Sequence, residues 1–411
     1  MMKPPYKHHQ ATTLLLSAAL IGCAILLYAA SPALADPPPN RFLMAHYMPW
    51  YEADPAKKQW GWHWTMNHFK PEVVVKGRRE AASLFAPLIG LYDSNDPDTL
   101  ECHVLLMKLS GIDGVIIDWY GNDDFLDYGV IHRNTRHLIG FVKKAGLRYA
   151  IMYEDQTVPK LLAAKRIPGD ETIAHGQRIL RWMQSNWFND PAYLFVNERP
   201  VFMVFGSGNY TGEQWDRIFS GITPAPYFFT ESDRRAPAIG GFGWPQPAGG
   251  TTKAIEEQDR FYSAAKTWTD FVPAAFPRFD DIYAQAGVHA SWGHIDDQDG
   301  KMYSQTLERA LKSTAPLIQL VTWNDWGEGT MIEPSVEYGY RDLETTQRLR
   351  RKYVEPKFAY TPADLTLPIR LYRLRKKHGS DPASAAKLNE VAQHLFAGRT
   401  DAARKLLTGF R

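Results

Sequence analysis

The sequence predicts a (β/α)8 TIM barrel, an α/β fold. Eight apolar segments of strand length recur along its 411 residues, at 42–47, 114–119, 148–153, 200–205, 226–230, 239–242, 271–276 and 317–323. Amphipathic stretches such as 98–110 and 134–144 separate most of them and end at a glycine, as helices commonly do. Alternating strands and helices form parallel sheets, and a doubly wound sheet usually stops at about five or six strands, so eight units favour the barrel.

The chain begins with the layout of a secretory signal peptide. Two lysines precede an apolar run over 11–30, and Ala-Leu-Ala at 33–35 precedes a Pro-rich stretch. We expect 1–35 to be cleaved and the mature protein to be exported, either periplasmic or secreted. Two alternatives stay open: an uncleaved membrane anchor, since about 20 apolar residues can span a bilayer, and a lipoprotein box at 20–23, although the apolar run continues past it.

Composition excludes several classes of function. Lys and Arg number 47 against 45 Asp and Glu, so no basic surface for nucleic acid or an anionic membrane is expected. The sequence has no glycine-rich phosphate loop, no G-x-S-x-G elbow and no H-E-x-x-H motif, so we predict neither a cofactor nor a metal. Without Cys23 of the leader, Cys102 is the only cysteine, which excludes an internal disulfide.

Two regions lie outside the strand and helix alternation. Residues 193–205 predict a hairpin that leads into the fourth strand, with Glu198 in its turn and not in catalysis. After the barrel, 343–353 predicts a helix, and 382–411 predicts two short helices joined around Gly398. We therefore place the catalytic domain at 36–375 and a helical extension at 376–411, whose role as a cap or a docking site is open.

Five acidic residues lie at or shortly after the ends of predicted strands. Asp118 lies at the end of the second strand, Glu154 follows the third and Asp281 the seventh, while Asp325 and Glu328 follow the eighth. Active sites of these barrels lie at the C-terminal strand ends, so the five should converge on one rim. Glycosidic cleavage needs one carboxyl to protonate the leaving oxygen and a second to act on the sugar. The pair in the glycine-containing loop after strand eight is predicted to be catalytic.

Aromatic residues crowd the same rim. The chain has 13 Trp, four of them at 50, 60, 62 and 64, and sugar rings stack on such faces, although about half of the Trp should only pack loops and helices. The acids after strands two and three have an alternative role in holding loops by hydrogen bonds. The predicted substrate-binding residues are Tyr47, Trp50, Asp118, Trp119, Tyr153, Glu154, Asp281, Trp323 and Asn324.

Several stretches together resemble the glycoside hydrolase family 71/99-like group. They are AHYMPWY at 45–51, IGLYDS at 89–94, GIDGVIIDWY at 111–120, and WNDWGEGT at 323–330 followed by Ile-Glu-Pro at 332–334. The resemblance covers residues 41–372, and the motif after strand eight is its specific part. It is closest to family 99, whose members are endo-acting α-mannosidases and α-mannanases that work on a (β/α)8 barrel with retention and without metal.

The resemblance implies roles for the two acids. The family motif carries two glutamates, which fall on Asp325 and Glu328. The first helps the 2-hydroxyl of the substrate to attack the anomeric carbon, giving a 1,2-anhydro sugar, and the second protonates the leaving group and then activates water. Asp325 departs from the pattern by one methylene, a reach shorter by about 1.5 Å, which favours a shifted substrate over loss of activity.

Two other functions remain open from the sequence. One is an inverting α-glucanase like family 71, and the other is a carbohydrate-binding barrel without turnover. The expected partner is an oligosaccharide or polysaccharide in each case. The sugar, its linkage, endo or exo action and the oligomeric state are not predicted.

Overall fold

The computed structural model describes residues 41–206 and 208–410, and the predicted signal peptide, with its cleavage site, lies outside them. Eight parallel strands form a ring in chain order. From β1 to β6 each strand pairs with the next, β7 pairs with β8, and β8 pairs with β1. A single parallel bridge between Phe242 of β6 and Val272, just before β7, nearly closes the barrel. The strands are β1 Phe42–Tyr47, β2 Gly114–Trp119, β3 Arg148–Tyr153, β4 Arg199–Val204, β5 Tyr227–Glu231, β6 Gly240–Phe242, β7 Ala274–Ala275 and β8 Leu317–Leu320.

The predicted (β/α)8 barrel is therefore confirmed. The bounds of β1, β2 and β3 match the prediction, while β7 spans two residues where six were expected. Prolines at 273 and 277 flank β7 and cannot donate to a strand ladder, which shortens it. The predicted hairpin is also present: Phe195–Val196 pairs with β4, and Glu198 occupies its turn with a φ of 61°.

Helices cover the outside of the barrel. The main ones are α1 Pro97–Ser110, α2 Tyr128–Lys144, α3 Thr172–Met183, α4 Gly212–Phe219, α5 Gly250–Ala265, α6 Lys301–Lys312, α7 Arg341–Tyr353, α8 Thr366–His378, α9 Pro382–Phe396 and α10 Thr400–Leu407. Short helices at Trp62–Thr65, Thr157–Ala163 and Tyr283–Ala286 lie in the loops that follow β1, β3 and β7. In the part of the chain that the structure describes, no helix is both long and apolar enough to span a membrane.

Side chains of each strand alternate between two apolar layers, as the pleat requires. In β1, Met44 contributes to the cluster inside the barrel, whereas Leu43, Ala45 and Tyr47 pack outward against the helices. This alternation decides which residue at a strand end points into the mouth.

The C-terminal helices pack onto the barrel domain. The predicted boundary at 375/376 falls inside α8, which packs against both α1 and α9. Arg375 of α8 is paired with Glu101 of α1 at 2.6 Å, and Gly398, with a φ of 72°, separates α9 from α10. Residues on both sides of the predicted boundary therefore belong to one packed unit.

Candidate active site

The loop after β8 is held in one conformation by its own hydrogen bonds. The backbone N–H of Asp325 donates to Thr322 Oγ1 (2.8 Å), and Asp325 Oδ1 accepts the N–H of Glu328 (3.0 Å). Gly329 has a φ of 69°, and a Cβ there would lie 2.7 Å from the carbonyl oxygen of Asp280, so only glycine fits. The N–H of Asp280 in turn donates to the carbonyl of Glu328 (2.8 Å). The loops after β7 and β8 thus fix both predicted catalytic acids.

The acids after the strands converge, as expected. Burial raises the pKa of Glu328 well above its usual range, and the carboxylates of Asp325, Asp281, Glu231 and Glu154 raise it further. Glu328 Oε2 is buried without a hydrogen-bond partner among the described residues. A carboxyl oxygen buried without a donor and close to other carboxyls holds its proton more tightly than a solvated one.

Asp325 titrates lower than its partner. Burial raises the pKa of Asp325 to about 6, and the backbone N–H groups of Glu328 and Gly327 oppose that rise. The surroundings therefore favour the ionised form at Asp325 and the protonated form at Glu328. Environments that push two pKa values apart assign a base and an acid.

A second carboxyl pair lies beside the first. Burial, and then the neighbouring carboxyl of Glu154 and the charge of Asp325, raises the pKa of Asp118 well above its usual range. Burial raises the pKa of Glu154 to about 7. Glu154 Oε2 accepts a hydrogen bond from Gln156 (2.5 Å), whereas Asp118 Oδ1 is buried without a partner in the described chain. Asp118 is thus a buried carboxyl whose protonated form is favoured, with one oxygen free for a ligand.

Three other predicted site residues line or support this mouth. Trp50 is half-buried and stacks on the ring of His63 at 4.3 Å. Asn324 joins the loops after β1 and β8, because its amide binds both the N–H (2.8 Å) and the carbonyl (2.9 Å) of Met48. Asp281 accepts the backbone N–H of Trp292 (2.8 Å). The last two residues therefore position loops.

The structure does not bring Tyr47, Trp119, Tyr153 and Trp323 into the mouth, which corrects the expectation of sugar contact. All four are fully buried in the layer between barrel and helices. The Tyr47 hydroxyl bonds His103 of α1 (2.9 Å), and Trp119 packs on Trp182. The physical reason is the alternation of the strands, because the residue next to each of these positions faces inward.

Several residues near the site were missed by the sequence analysis. His46 bonds Gln319 (3.4 Å) and lies edge to face with Trp244 at 4.9 Å, and burial lowers the pKa of His46 to about 3, so the ring is neutral. Burial, then Glu328 and Asp325, raises the pKa of Tyr283. Period-two alternation could have identified His46 in place of its neighbour.

Within the described ranges, no group of three or more His, Cys, Asp or Glu side chains is arranged to hold a metal ion. The carboxyl groups at the mouth place a group that favours its proton beside one that favours the ionised form. Asp118 adds an unpartnered oxygen suited to a hydroxyl group.

No protein-family model matches the chain. It is 23% identical over 394 residues to a glycoprotein endo-alpha-1,2-mannosidase of Rattus norvegicus, with 81% of this chain and 79% of the relative covered. It is also 23% identical over 346 residues to a glycoprotein endo-alpha-1,2-mannosidase-like protein of Mus musculus, covering 74% of this chain and 73% of that one.

Among solved structures, the fold is similar to a glycoside hydrolase family 99 endo-alpha-mannosidase of Bacteroides thetaiotaomicron. The TM-score is 0.55 at 18% identity, with 80% of this chain and 98% of the other covered. At that identity the likeness shows the fold. Together with the sequence relatives, it confirms the predicted resemblance to the family 99-like group of glycoside hydrolases.

Proposed function

Since the chain resembles family 99 glycoside hydrolases in sequence and fold, we propose that it is an exported endo-acting enzyme that cleaves α-linked glycans, α-mannosidic ones first. One observation carries the proposal: a single turn at the barrel mouth holds Asp325 and Glu328, and its surroundings push their pKa values apart. The composition of residues 1–35 supports export.

The proposed reaction has two steps with retention of anomeric configuration. In the first, the Asp325 carboxylate takes the proton of the sugar 2-hydroxyl, O2 attacks the anomeric carbon, and Glu328 protonates the departing oxygen. The product is a 1,2-anhydro sugar. In the second, the Glu328 carboxylate takes a proton from water, whose oxygen opens the anhydro ring at the anomeric carbon, and the proton on Asp325 returns to O2.

The short side chain of Asp325 fits this role in the present chain. Its Oδ1 accepts the N–H of Glu328, while Oδ2 takes no hydrogen bond within the described residues. The carboxylate is thus oriented by the turn, and one oxygen remains for the substrate. The unpartnered Oδ1 of Asp118 supports binding of a further sugar hydroxyl.

Hydrolysis of defined glycans tests the proposal. Purified wild type, Asp325→Asn and Glu328→Gln are assayed on α-mannans and α-glucans, and NMR identifies the anomer released first. Glu390→Gln, which changes an exposed carboxylate on α9 of the C-terminal extension, is the matched control. We expect cleavage of an α-mannan with retention, strong loss in both site variants and none in the control.

Each other outcome has a meaning. Inversion on an α-glucan would support a family 71-like glucanase. Glycan binding by calorimetry without hydrolysis would support a carbohydrate-binding barrel. If wild type cleaves a glycan and Glu328→Gln keeps most of the activity, the catalytic assignment is wrong. Mass spectrometry of the full-length product exported by a bacterial host tests the leader, with Asp36 expected as the first residue.

A further inference from the structure

Two tryptophans stay exposed beside the mouth, on either side of the catalytic loop. Trp62, in the loop after β1, is 42% exposed, and Trp292, in the loop after β7, is 58% exposed. Both parent strands are neighbours of β8, the strand whose loop carries the two catalytic acids. The loops that carry the two rings therefore start on either side of that loop.

Trp62 is linked to the acids by a line of rings. Its ring meets His63 edge to face at 5.0 Å, and His63 stacks on Trp50 at 4.3 Å and 9°. Trp50 lies against Tyr51 at 6.4 Å, and the Tyr51 hydroxyl accepts the backbone N–H of Trp326 (3.0 Å), next to Asp325. The exposed ring is thus continuous with the site.

Trp292 has an equivalent connection on the other side. Its N–H donates to Asp281, and its indole lies 5.4 Å from the ring of His289, which in turn lies 4.6 Å from Tyr283. A Cβ on the next residue, Gly293, would lie 2.3 Å from the carbonyl oxygen of Pro247, so that loop approaches its neighbour too closely for any other residue. The loop position of Trp292 is therefore fixed by several contacts.

Ring contacts and a backbone hydrogen bond hold these two exposed indoles in place, so each presents a fixed aromatic face to a ligand at the mouth. The two rings are not one apolar patch of the kind that docks a protein, because polar groups surround each: His63 with Asp127 on one side, and Asp281 with Ser291 on the other. Isolated flat rings beside hydrogen-bonding groups suit sugar units, which have C–H faces and hydroxyl edges.

We propose that Trp62 and Trp292 are outer sugar-binding platforms, one on each side of the cleavage site, so that the protein binds a glycan of several units across the mouth. The inference rests on the proposed function, since it assumes that the acids act on a sugar between the platforms. It adds a preference for long glycans.

The first test compares long and short substrates. Trp62→Ala and Trp292→Ala should each lower the ratio of kcat/KM for a hexasaccharide to that for a disaccharide by about 2- to 12-fold. Trp62→Phe and Trp292→Phe should restore most of the ratio. Val75→Ala, which removes an exposed apolar side chain from the hairpin Val74–Val75 and Arg78–Arg79, is the control and should leave the ratio alone.

A second test does not depend on hydrolysis. Calorimetry measures binding of the hexasaccharide and the disaccharide to Glu328→Gln, with and without each Trp→Ala change. Weaker binding of the hexasaccharide alone supports the platforms. Equal losses for both lengths, or no loss, overturn the inference even if wild type hydrolyses glycans. Absence of hydrolysis by wild type, with length-dependent binding kept, overturns the proposed function and not the platforms.

Discussion

The buried carboxylates of this protein form two groups that differ in their partners. Away from the mouth, each has a cation or several donors: Glu333 lies 3.0 Å from His103 and accepts the Tyr92 hydroxyl (2.8 Å), and Asp113 is paired with Arg350 at 2.9 Å. At the mouth, Asp325 and Glu328 have no ion pair within the described residues.

The difference separates stability from function. A buried carboxylate with a hydrogen-bonded partner can repay its desolvation, whereas an unpaired one destabilises the fold and binds protons more tightly. The mouth acids therefore destabilise the fold, and their raised pKa values reflect the missing partners, as is common at functional sites. Each prediction below tests one side of this comparison.

The largest effect is expected for Glu328→Gln. Loss of the acid should lower kcat/KM for a natural glycan by about 10²- to 10⁴-fold, while the free energy of unfolding does not fall. Glu333→Gln, the matched change in the paired group, should instead lower the free energy of unfolding by about 1–3 kcal/mol. Glycan assays measure kcat/KM, and urea unfolding measures the free energy of unfolding, for both variants. A fall in stability in Glu328→Gln as large as that in Glu333→Gln would contradict the comparison.

The second largest effect, now on the free energy of unfolding, is expected when a buried ion pair is broken. Arg278 is paired with Asp342, and both side chains are almost fully buried. Arg278→Met removes the buried partner of Asp342, which keeps only Arg341 at 3.1 Å, so the free energy of unfolding should fall by about 1–3 kcal/mol. Arg260→Met, at an exposed arginine paired with Glu257, should change it by less than about 0.5 kcal/mol. Similar small losses in both variants would show that the buried pair contributes no more than the exposed one.

Glu154→Gln should stabilise the fold at alkaline pH. The folded-state pKa of Glu154 is about 7, above its ordinary value of 4.5. Below pH 4.5 the carboxyl is protonated in both the folded and the unfolded protein, so it does not lower the free energy of unfolding. As the pH rises from 4.5 through 7, the unfolded protein loses this proton more readily, and the free energy of unfolding falls. The neutral variant avoids that loss, so it should exceed wild type by up to about 3 kcal/mol at pH 8 and match it near pH 4. Urea unfolding of both proteins between pH 4 and 8 measures this difference. A variant that is less stable than wild type at pH 8 would contradict the raised pKa of Glu154.

The smallest effect concerns the pH dependence of activity. Asp325 must be ionised to act as a base, and its pKa is about 6. Below that pH, kcat/KM should fall about tenfold per pH unit. Initial rates between pH 4 and 8 measure this fall in kcat/KM. A fall with its midpoint at pH 4 would mean that a carboxyl with an ordinary pKa controls the loss of activity in acid.

The fold was predictable because its signals are local. Apolar runs and glycine helix ends are recognised within a few residues. The strands followed from them, as did the helices predicted at 98–110, 134–144, 343–353 and 382–411. The shortening of β7 depended on two prolines that the apolar pattern of 271–276 outweighed. Similarly, the aromatic residues at strand ends looked like site residues until the alternation of inward and outward positions placed Tyr47 and Trp119 behind the barrel wall.

The position of the candidate site could be predicted from the sequence, but the pairing and protonation of its acids could not. Acids after strands converge in any such barrel, so Asp325 and Glu328 could be named from the sequence. Whether a buried acid is paired depends on residues that are distant in the chain, as Glu333 and His103 are, 230 positions apart. Period and spacing carry no information on such contacts, so the two groups of carboxylates became distinct only in three dimensions.

The hydrogen bond from the Glu328 N–H to Asp325 Oδ1 makes the turn and the chemistry inseparable. The same carboxylate that would act on the sugar also holds the backbone from which its partner projects, so protonation of Asp325 weakens the support of both. Protein engineers who lengthen position 325 to glutamate would have to redesign residues 326–329 together with it.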